Sequence, residues 1–328
     1  MHFHDLLKDK DIEEKILANW VEYTELFMLF QSEFFLGLYK RYQSIENGNI
    51  VLYFAMQTHQ DILRQKDYNL NFNISFDKFW INHKLKIDSK KKSIIKIAKD
   101  LTLPKETTRR KIIELTKQKI LVKKDKSIMW FPSKEYKANY NIFVQKEIEG
   151  ISKLIYFICS KTKVNITKTE IVKEINEKFS FYWFNYLNAQ LEYLKIWNNQ
   201  FKDLELAFIF MQVVSLFASK ANKQEISHDT IYGSPSAIKN FQSASISATS
   251  ISEITNIPRA TCVRKLSSLV SLKIIKQNKV SKRYYLSSES ISSDVINKQT
   301  TRHIIKNFSE FYFITIRALQ LKLNANKD

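Results

Sequence analysis

Residues 93–133 of the chain read SIIKIAKDLTLPKETTRRKIIELTKQKILVKKDKSIMWFPS. They align without a gap on residues 247–287, SATSISEITNIPRATCVRKLSSLVSLKIIKQNKVSKRYYLS, which lie 154 positions later. An internal repeat is interpreted first, because it sets the architecture that every other feature must fit. The identical aligned pairs are Ser93/Ser247, Ile97/Ile251, Pro104/Pro258, Thr107/Thr261, Arg110/Arg264, Lys111/Lys265, Leu115/Leu269, Lys119/Lys273, Ile120/Ile274, Ser127/Ser281 and Ser133/Ser287.

Each copy predicts a short helix, a tight turn, a second helix and a two-stranded hairpin. Ile97, Ala98 and Leu101 form the inner face of the first short helix, and Pro104 stands at the start of the next helix, where proline is favoured. β-prone runs on both sides of a polar tip predict the hairpins after it. The inward positions of the second helices are Thr108, Ile112 and Leu115 in one copy, and Cys262, Leu266 and Leu269 in the other.

This order of elements resembles the winged helix-turn-helix of bacterial transcription regulators. The resemblance lies in IAKDLTLPKETTRRKIIELTKQKIL (97–121) and ISEITNIPRATCVRKLSSLVSLKII (251–275), which include the small residues Ala98 and Ser252 at the family's spacing. Together with their hairpins, these segments cover about a quarter of the chain. Long helices on both sides of each motif resemble the layout of MarR-type regulators, in which such helices make the dimer.

The turns depart from the family's pattern. The family usually has glycine in the turn and before the wing, whereas this chain has Thr102 or Asn256 in the turn and Lys119 or Lys273 before the wing. Asparagine tolerates a left-handed backbone, and threonine and lysine do so less readily.

The repeat extends upstream of the motif. Residues 38–57 resemble residues 193–212 at an offset of 155, with Met56-Gln57 matching Met211-Gln212. The predicted fold is therefore mainly α and internally duplicated, with two winged helix-turn-helix modules, small β-wings and long aromatic-rich helices related by a pseudo-two-fold axis. The predicted halves are residues 1–160, with a winged helix at about 76–133, and residues 161–328, with a winged helix at about 228–288.

Charge is concentrated on the two motifs. The chain has a formal net charge of +19, yet residues 84–146 hold 19 Lys and Arg against 6 Asp and Glu, and residues 239–288 hold 9 against 1. Residues 1–83 are net −4. A Lys-rich composition caused only by an AT-rich genome would spread the charge evenly. Concentration on the motifs is what binding to phosphates requires, because Lys and Arg displace counterions.

We call the second helix of each copy the reading helix and the hairpin after it the wing. We expect the start of each reading helix to enter the major groove of double-stranded DNA, and the wing to lie on the backbone or in the adjacent minor groove. Arg110 and Arg264 are the leading candidates for guanine contact, because a planar guanidinium can bond O6 and N7 together. The wing residues suit phosphates, which give affinity without sequence information. The candidate DNA-binding residues are Lys105, Glu106, Thr107, Arg109, Arg110, Lys123, Lys124 and Lys126, then Arg259, Thr261, Val263, Arg264, Lys276, Lys279, Lys282 and Arg283.

Other classes of protein leave signatures that this sequence lacks. It has no Gly-rich phosphate loop, no Cys-x-x-Cys and no nucleophile elbow, so neither an enzyme nor a cofactor is predicted. His2 and His4 could hold a metal, although a terminal pair is more often incidental, and the other four histidines lack metal-ligand spacing. Cys159 and Cys262, each on a predicted helix, predict no disulfide. The apolar run 204–218 is shorter than the ~20 residues that span a bilayer, which predicts a buried helix. The polar N-terminus predicts no leader, and we expect a cytoplasmic protein on the nucleoid with no membrane partner.

The predicted function is a sequence-specific, double-stranded DNA-binding transcription regulator. A replication initiator with tandem winged helices and a winged-helix interaction component of a transcription or chromosome complex remain open. RNA polymerase and a second copy of the chain are further candidate partners. Aromatic residues at helical spacing in the long helices, such as Trp20, Tyr23 and Phe27 in one and Tyr182, Trp183 and Tyr186 in another, predict either core packing or an effector pocket.

Overall fold

The computed structural model describes residues 8–65, 73–82, 93–124, 127–130, 133–162, 164–238, 241–291 and 298–325. This part of the chain is mainly α-helical, as predicted. Its helices are α1 Asp9–Ala18, α2 Trp20–Tyr42, α3 Ile45–Arg64, α4 Phe76–Asn82, α5 Ile94–Asp100, α6 Lys105–Lys117, α7 Lys134–Lys161, α8 Lys168–Glu177, α9 Phe179–Phe201, α10 Leu204–Lys223, α11 His228–Gly233, α12 Ala248–Thr255, α13 Arg259–Ser271, α14 Ser288–Ile291 and α15 Lys298–Ala325. Its strands are β1 Leu121–Lys124, β2 Ser127–Trp130, β3 Lys276–Gln277 and β4 Tyr284–Tyr285.

Both pairs of strands are antiparallel hairpins. In the first, Leu121 lies opposite Trp130 and Lys124 opposite Ser127. In the second, β3 begins only at Lys276, after the apolar pair at 274–275. A bridge from Ile246 to Tyr284 lies beside the second hairpin, with backbone N···O distances of 2.8 and 2.9 Å.

Side-chain oxygens begin the helices that matter for the site. The Ser93 Oγ accepts a hydrogen bond from the Lys96 N–H at 3.2 Å, which caps α5. The Ser44 Oγ caps α3 and the Asp203 Oδ1 caps α10 in the same way, the latter at 2.9 Å from the Leu206 nitrogen. Such a cap satisfies an orphan N–H group and contributes about 1 kcal/mol to helix stability.

Left-handed residues end the helices. After the helices the backbone passes into the left-handed region at non-glycine residues with φ between 52° and 62°, namely Gln43, Thr102, Lys119, Lys202, Glu225, Asn256 and Lys273, and Lys282 in the second hairpin is left-handed as well. After α6 the Ile120 N–H returns to the Leu115 carbonyl at 3.0 Å, and after α13 the Ile274 N–H returns to the Leu269 carbonyl, also at 3.0 Å. This 6→1 bond is the closure that usually takes glycine at the left-handed position. The departures at Thr102, Asn256, Lys119 and Lys273 therefore keep the backbone conformation without the glycine.

The described residues pack into two compact units. One contains residues 44–195 and 310–325, and the other contains residues 9–43 and 196–309. The predicted division at residue 160 does not coincide with this packing, because α1 and α2 pack in the unit formed largely by residues after 196. The sequence halves remain a prediction about which segments correspond to each other.

Aromatic side chains fill the core of the first unit. The His59 ring stacks on Phe79 with centroids 4.6 Å apart and meets Phe179 edge-on at 5.2 Å. Nearby, the indole N–H of Trp183 donates to the Tyr140 hydroxyl at 3.0 Å, so a buried polar atom is satisfied. Beneath α6, Ile112 and Leu115 are buried as predicted.

Helix α10 is the core helix of the second unit. It packs along α2 and also contacts α12 and α13. The predicted apolar run 204–218 is part of a 20-residue helix, long and apolar enough by composition to cross a membrane, and 67% of its most apolar window is buried inside the protein. Phe35 and Phe208 join α2 to α10 with ring centroids 5.4 Å apart. This burial agrees with the prediction of a helix covered on most sides.

Candidate nucleic-acid interface

The first reading helix, α6, presents the predicted polar face. Lys105, Glu106, Arg109 and Arg110 are exposed, and Thr107 is half-buried. These side chains face solvent because Thr108, Ile112 and Leu115 occupy the opposite, buried side of the helix. The start of α6 therefore offers a ridge of polar and cationic side chains to solvent.

Arg109 and Glu106 are engaged with each other on this ridge. The guanidinium donates to both carboxylate oxygens, with Nη2 to Oε1 at 2.7 Å and Nε to Oε2 at 3.0 Å. The hydrogen bond from Arg109 holds the pKa of the Glu106 carboxyl below its usual value. Arg110 is the neighbouring exposed guanidinium, and its charge adds to the lowering of the Glu106 pKa. The ion pair makes Arg109 a weaker candidate for phosphate than Arg110.

The wing that follows α6 is described in part. Lys123 lies in β1 opposite Ile128 and is exposed. Lys124 ends β1, but its side chain lies outside the described residues, as does the whole of Lys126. Lys123 is therefore the wing residue whose exposure supports the prediction.

The second reading helix, α13, has a matching face. Arg259 and Arg264 are exposed, whereas Thr261 and Val263 are half-buried. The Arg259 Nε donates to the Thr249 hydroxyl of α12 at 3.1 Å, which holds that guanidinium against the preceding helix. Cys262 is fully buried on the inner face, as predicted, and burial raises the pKa of its thiol. Arg264 is thus the exposed guanidinium on α13 beyond its first turn.

Hydrogen bonds to Asn278 close the turn at the tip of the second wing. The Asn278 Oδ1 accepts hydrogen bonds from the Val280 and Ser281 N–H groups, both at 2.9 Å, and the Lys282 N–H returns to the Asn278 carbonyl. This turn presents Lys279 and Lys282 to solvent and leaves Val280 92% exposed. This hydrogen-bonded turn with two exposed lysines is suited to contact a phosphate backbone.

Two other predicted wing residues have acceptors within the protein. The Arg283 guanidinium donates to the Ser245 carbonyl, with Nη2 at 2.6 Å and Nε at 3.0 Å. The Lys276 Nζ lies 2.8 Å from Glu289 Oε2, and its hydrogen bond lowers the pKa of the Glu289 carboxyl to about 2. Lys279 and Lys282 are therefore better placed than Lys276 and Arg283 to contact DNA.

Lys111 and Lys265 occupy aligned positions of the repeat but lie on the protein-facing side of the reading helices. Lys265 is 6% exposed and contacts Asp203. Lys111 donates to the Ser44 hydroxyl at 3.0 Å. Neither lysine is among the candidate residues predicted from sequence, although their identity at aligned positions is the signal that could have indicated a shared role.

Two cavities lie in the second unit of the described residues: a small apolar one, and an open polar one of about 580 Å³ whose lining includes Asn222, His228 and Arg302. Trp20, Tyr23 and Phe27 border an apolar cavity of about 70 Å³ in the second unit. A cavity known to take up benzene measures ~150 Å³, so these aromatic residues act here mainly as core. Within the described ranges, His, Cys, Asp and Glu form no group of three that could hold a metal ion, and Cys159 and Cys262 are both free thiols.

The helices α6 and α13, each with its hairpin, thus combine an exposed arginine and exposed lysines with a buried inner face, an arrangement that can bind a polyanion. Comparison of the chain with protein-family models, with curated proteins and with solved structures found no match.

Proposed function

We propose that this protein is a sequence-specific, double-stranded DNA-binding transcription regulator with two winged helix-turn-helix readers in one chain. The observation that carries the proposal is the exposure of Arg110 and Arg264 at the same position of two 13-residue helices, each within a basic segment of the sequence. An arginine on the outer face of such a helix is the commonest means of reading guanine in the major groove.

The order and lengths of the elements support two copies of one fold. Helices α2 and α9 both have 23 residues, α3 and α10 both have 20, and α7 and α15 both have 28. Between α3 and α7, and again between α10 and α15, the chain forms a short helix, the paired helices of the motif and a hairpin. Equal lengths in equal order are expected of an internal duplication, which would also relate the halves by a pseudo-two-fold axis.

Backbone conformation supports the same proposal independently of side-chain identity. Thr102 and Asn256 differ in sequence, yet both are left-handed, with φ of 55° and 62°. Gln43 and Lys202 end α2 and α9 with φ of 57° and 53°. Non-glycine residues in this region are uncommon, so their recurrence at corresponding positions argues for one ancestral backbone.

The charge distribution supports DNA as the partner. Exposed lysines on the described wings, with the arginines of the reading helices, give each module cations for phosphate and a planar fork for bases. Exposed ion pairs such as Glu106–Arg109 and Lys276–Glu289 leave Arg110, Arg264, Lys279 and Lys282 as the groups expected to contact DNA.

Selection of duplexes from a random library by the full-length protein tests the proposal. We expect enrichment of one imperfect inverted repeat. If both modules neutralise about 6–10 phosphates together, affinity should fall by ~10³–10⁵ between 50 and 200 mM salt. Enriched direct repeats that melt locally on binding would favour a replication initiator instead. Absence of enrichment with a shallow salt dependence would contradict DNA binding and favour a protein-interaction role.

A further inference from the structure

Lys265 is a cation buried beneath the second reading helix. It follows Arg264 in α13, and while Arg264 is exposed, Lys265 is only 6% exposed. Its Nζ donates to the Asp203 Oδ2 at 2.5 Å and lies 3.4 Å from the Glu205 Oε2. Lysine is almost never buried to this extent unless it is paired, so these carboxylates are what allow the ammonium to lie there.

The acidic partners belong to the start of another helix. Asp203 is the N-cap of α10, where its other oxygen, Oδ1, accepts from the Leu206 N–H. A helix N-terminus carries partial positive charge, which by itself disfavours a nearby ammonium. The two carboxylates outweigh that effect, and they connect the reading helix to the end of the core helix.

The first module has a weaker form of the same contact. Lys111 donates to the Ser44 Oγ at 3.0 Å, and Ser44 is the N-cap of α3. The Ser44 hydroxyl in turn donates to the Glu46 carboxylate at 2.7 Å. Ser44 and Glu46 precede Asp203 and Glu205 by the same 159 positions, the offset that also separates the starts of α3 and α10, so both contacts lie at the N-terminus of the same helix in the series. The register of 155 predicted from sequence for residues 38–57 is four residues short of these helix bounds.

A buried charge that is paired is weak evidence for stability, and in some proteins such a pair fixes the geometry of its elements instead. Neighbouring residues on an α-helix point about 100° apart, so a lysine fixed on one side sets the direction of the arginine beside it. An arginine that reads a base needs that direction to be fixed, since bidentate contact depends on the plane of the guanidinium.

We propose that Lys265 is a positioning residue that fixes the rotation of α13 on the N-terminus of α10, and so sets the direction in which Arg264 meets DNA. Lys111 has the same role for α6 and Arg110, with a neutral hydroxyl as its nearest acceptor. This inference rests on the proposed function. Beyond that function, the proposal is that the base preference of each reading helix depends on a lysine that does not contact DNA.

The test compares Lys265→Met, Lys265→Arg and Asp203→Asn in the full-length protein. The matched surface control is Lys306→Met, at an exposed lysine of α15 that is not among the candidate DNA-binding residues. Asparagine caps helices as well as aspartate does, so Asp203→Asn removes the charge and keeps the cap. We expect Lys265→Met and Asp203→Asn to reduce the preference for the half-site read by α13 about tenfold or more, with partial rescue in Lys265→Arg. The salt slope should not change, because Lys265 neutralises no phosphate.

A second readout needs no DNA. Spin labels at the exposed positions Lys223 of α10 and Ser267 of α13 report the distance distribution between the helices, which should broaden in Lys265→Met and stay narrow in Lys306→Met. An unchanged distribution together with unchanged half-site preference would overturn the positioning role. A reduced salt slope in Lys265→Met would also overturn it, since the lysine would then be a phosphate contact. If the wild-type protein binds no duplex, the proposed function fails, and broadening of the distribution still decides whether Lys265 positions α13.

Discussion

Thr102 and Asn256 have the same left-handed backbone, with φ of 55° and 62°, although their side chains differ in shape. Each follows the first helix of its motif, and each is followed by an apolar residue and a proline that restart the chain. The conformation costs a β-branched residue more than it costs asparagine, whose short amide is tolerated there. The first turn therefore holds strain that the second avoids.

Exchanging these two residues tests that difference. Asn256→Thr should lower the free energy of unfolding by ~1 kcal/mol, because it adds the left-handed cost of a β-branched residue. Thr102→Asn should raise it by less than ~1 kcal/mol, because relief of that cost is partly offset by loss of the 2.7 Å hydrogen bond from the Thr102 hydroxyl to the Leu101 carbonyl. Denaturant titration of both variants measures this. Equal shifts of the same sign would show that the turn conformations are not what separates the two residues.

The sequence predicted the helices and their buried positions well because helical periodicity is local. Ile97, Ala98, Ile112 and Leu115 are buried as the helical spacing indicates, and Pro104 directly precedes α6. A stripe of apolar residues at helical spacing has few alternative arrangements, so local pattern and tertiary burial agree here.

Long-range packing was not predictable in the same way. The grouping of α2 with α10 depends on which apolar faces meet, and periodicity identifies a face without identifying its partner. The acceptors of Lys265, Lys276 and Arg283 were missed for the same reason, since Asp203, Glu289 and Ser245 are distant in sequence or lie outside the repeat. A count of charges in the sequence does not distinguish a lysine that is paired within the protein from one that can contact a phosphate.

The second wing should supply salt-dependent affinity through Lys279 and Lys282. Replacing either residue with Ala should weaken binding to all duplexes alike and reduce the salt slope by about 1, because one phosphate contact is lost. Lys276→Ala serves as the control and should change the slope less, since its ammonium is already paired with Glu289. Affinities measured from 50 to 300 mM salt check this. Equal changes in salt slope for Lys276→Ala and Lys279→Ala would show that pairing with Glu289 does not keep Lys276 from the phosphates.

Removing the acidic partner should release Lys276. The hydrogen bond from Lys276 lowers the pKa of Glu289 to about 2, so the Glu289 carboxyl is ionised at the neutral pH of a binding assay. Glu289→Gln should strengthen binding to every duplex by a similar factor and increase the salt slope by up to about 1. Adding Lys276→Ala to this variant should abolish the gain, and a gain that persists would mean that Lys276 does not reach DNA.

Glu174 makes the stability of the first unit depend on pH. It is fully buried, and although burial alone would raise its pKa, hydrogen bonds from Lys178 and Lys322 outweigh it and hold the pKa of the carboxyl below its usual value. A lowered folded-state pKa gives stability that is present above the unfolded pKa of about 4.5 and is lost as pH falls through the folded value.

Glu174→Gln isolates this contribution. At pH 7 it should lower the free energy of unfolding by ~1–3 kcal/mol, and the difference from wild type should shrink as the wild-type carboxyl becomes protonated. Glu177→Gln is the matched control, because Glu177 also pairs with Lys322 but is 44% exposed, so a smaller effect is expected. A difference that stays constant from pH 7 to pH 3 would assign the effect to packing.

The central claim is that one chain carries two readers that act on different half-sites. Arg110 and Arg264 are exposed at the same position of their helices, whereas Glu106 and Arg109 in α6 correspond to Ala260 and Val263 in α13. The half-sites should therefore share the base read by the two arginines and differ beside it.

Base-resolved footprints of Arg110→Ala and Arg264→Ala on the selected duplex test this most directly. Each variant should lose ~1–3 kcal/mol of discrimination in one half-site only, and the two variants should affect opposite half-sites. Loss spread equally over both half-sites in either variant would show that two chains bind symmetrically, and it would contradict two readers acting in one chain.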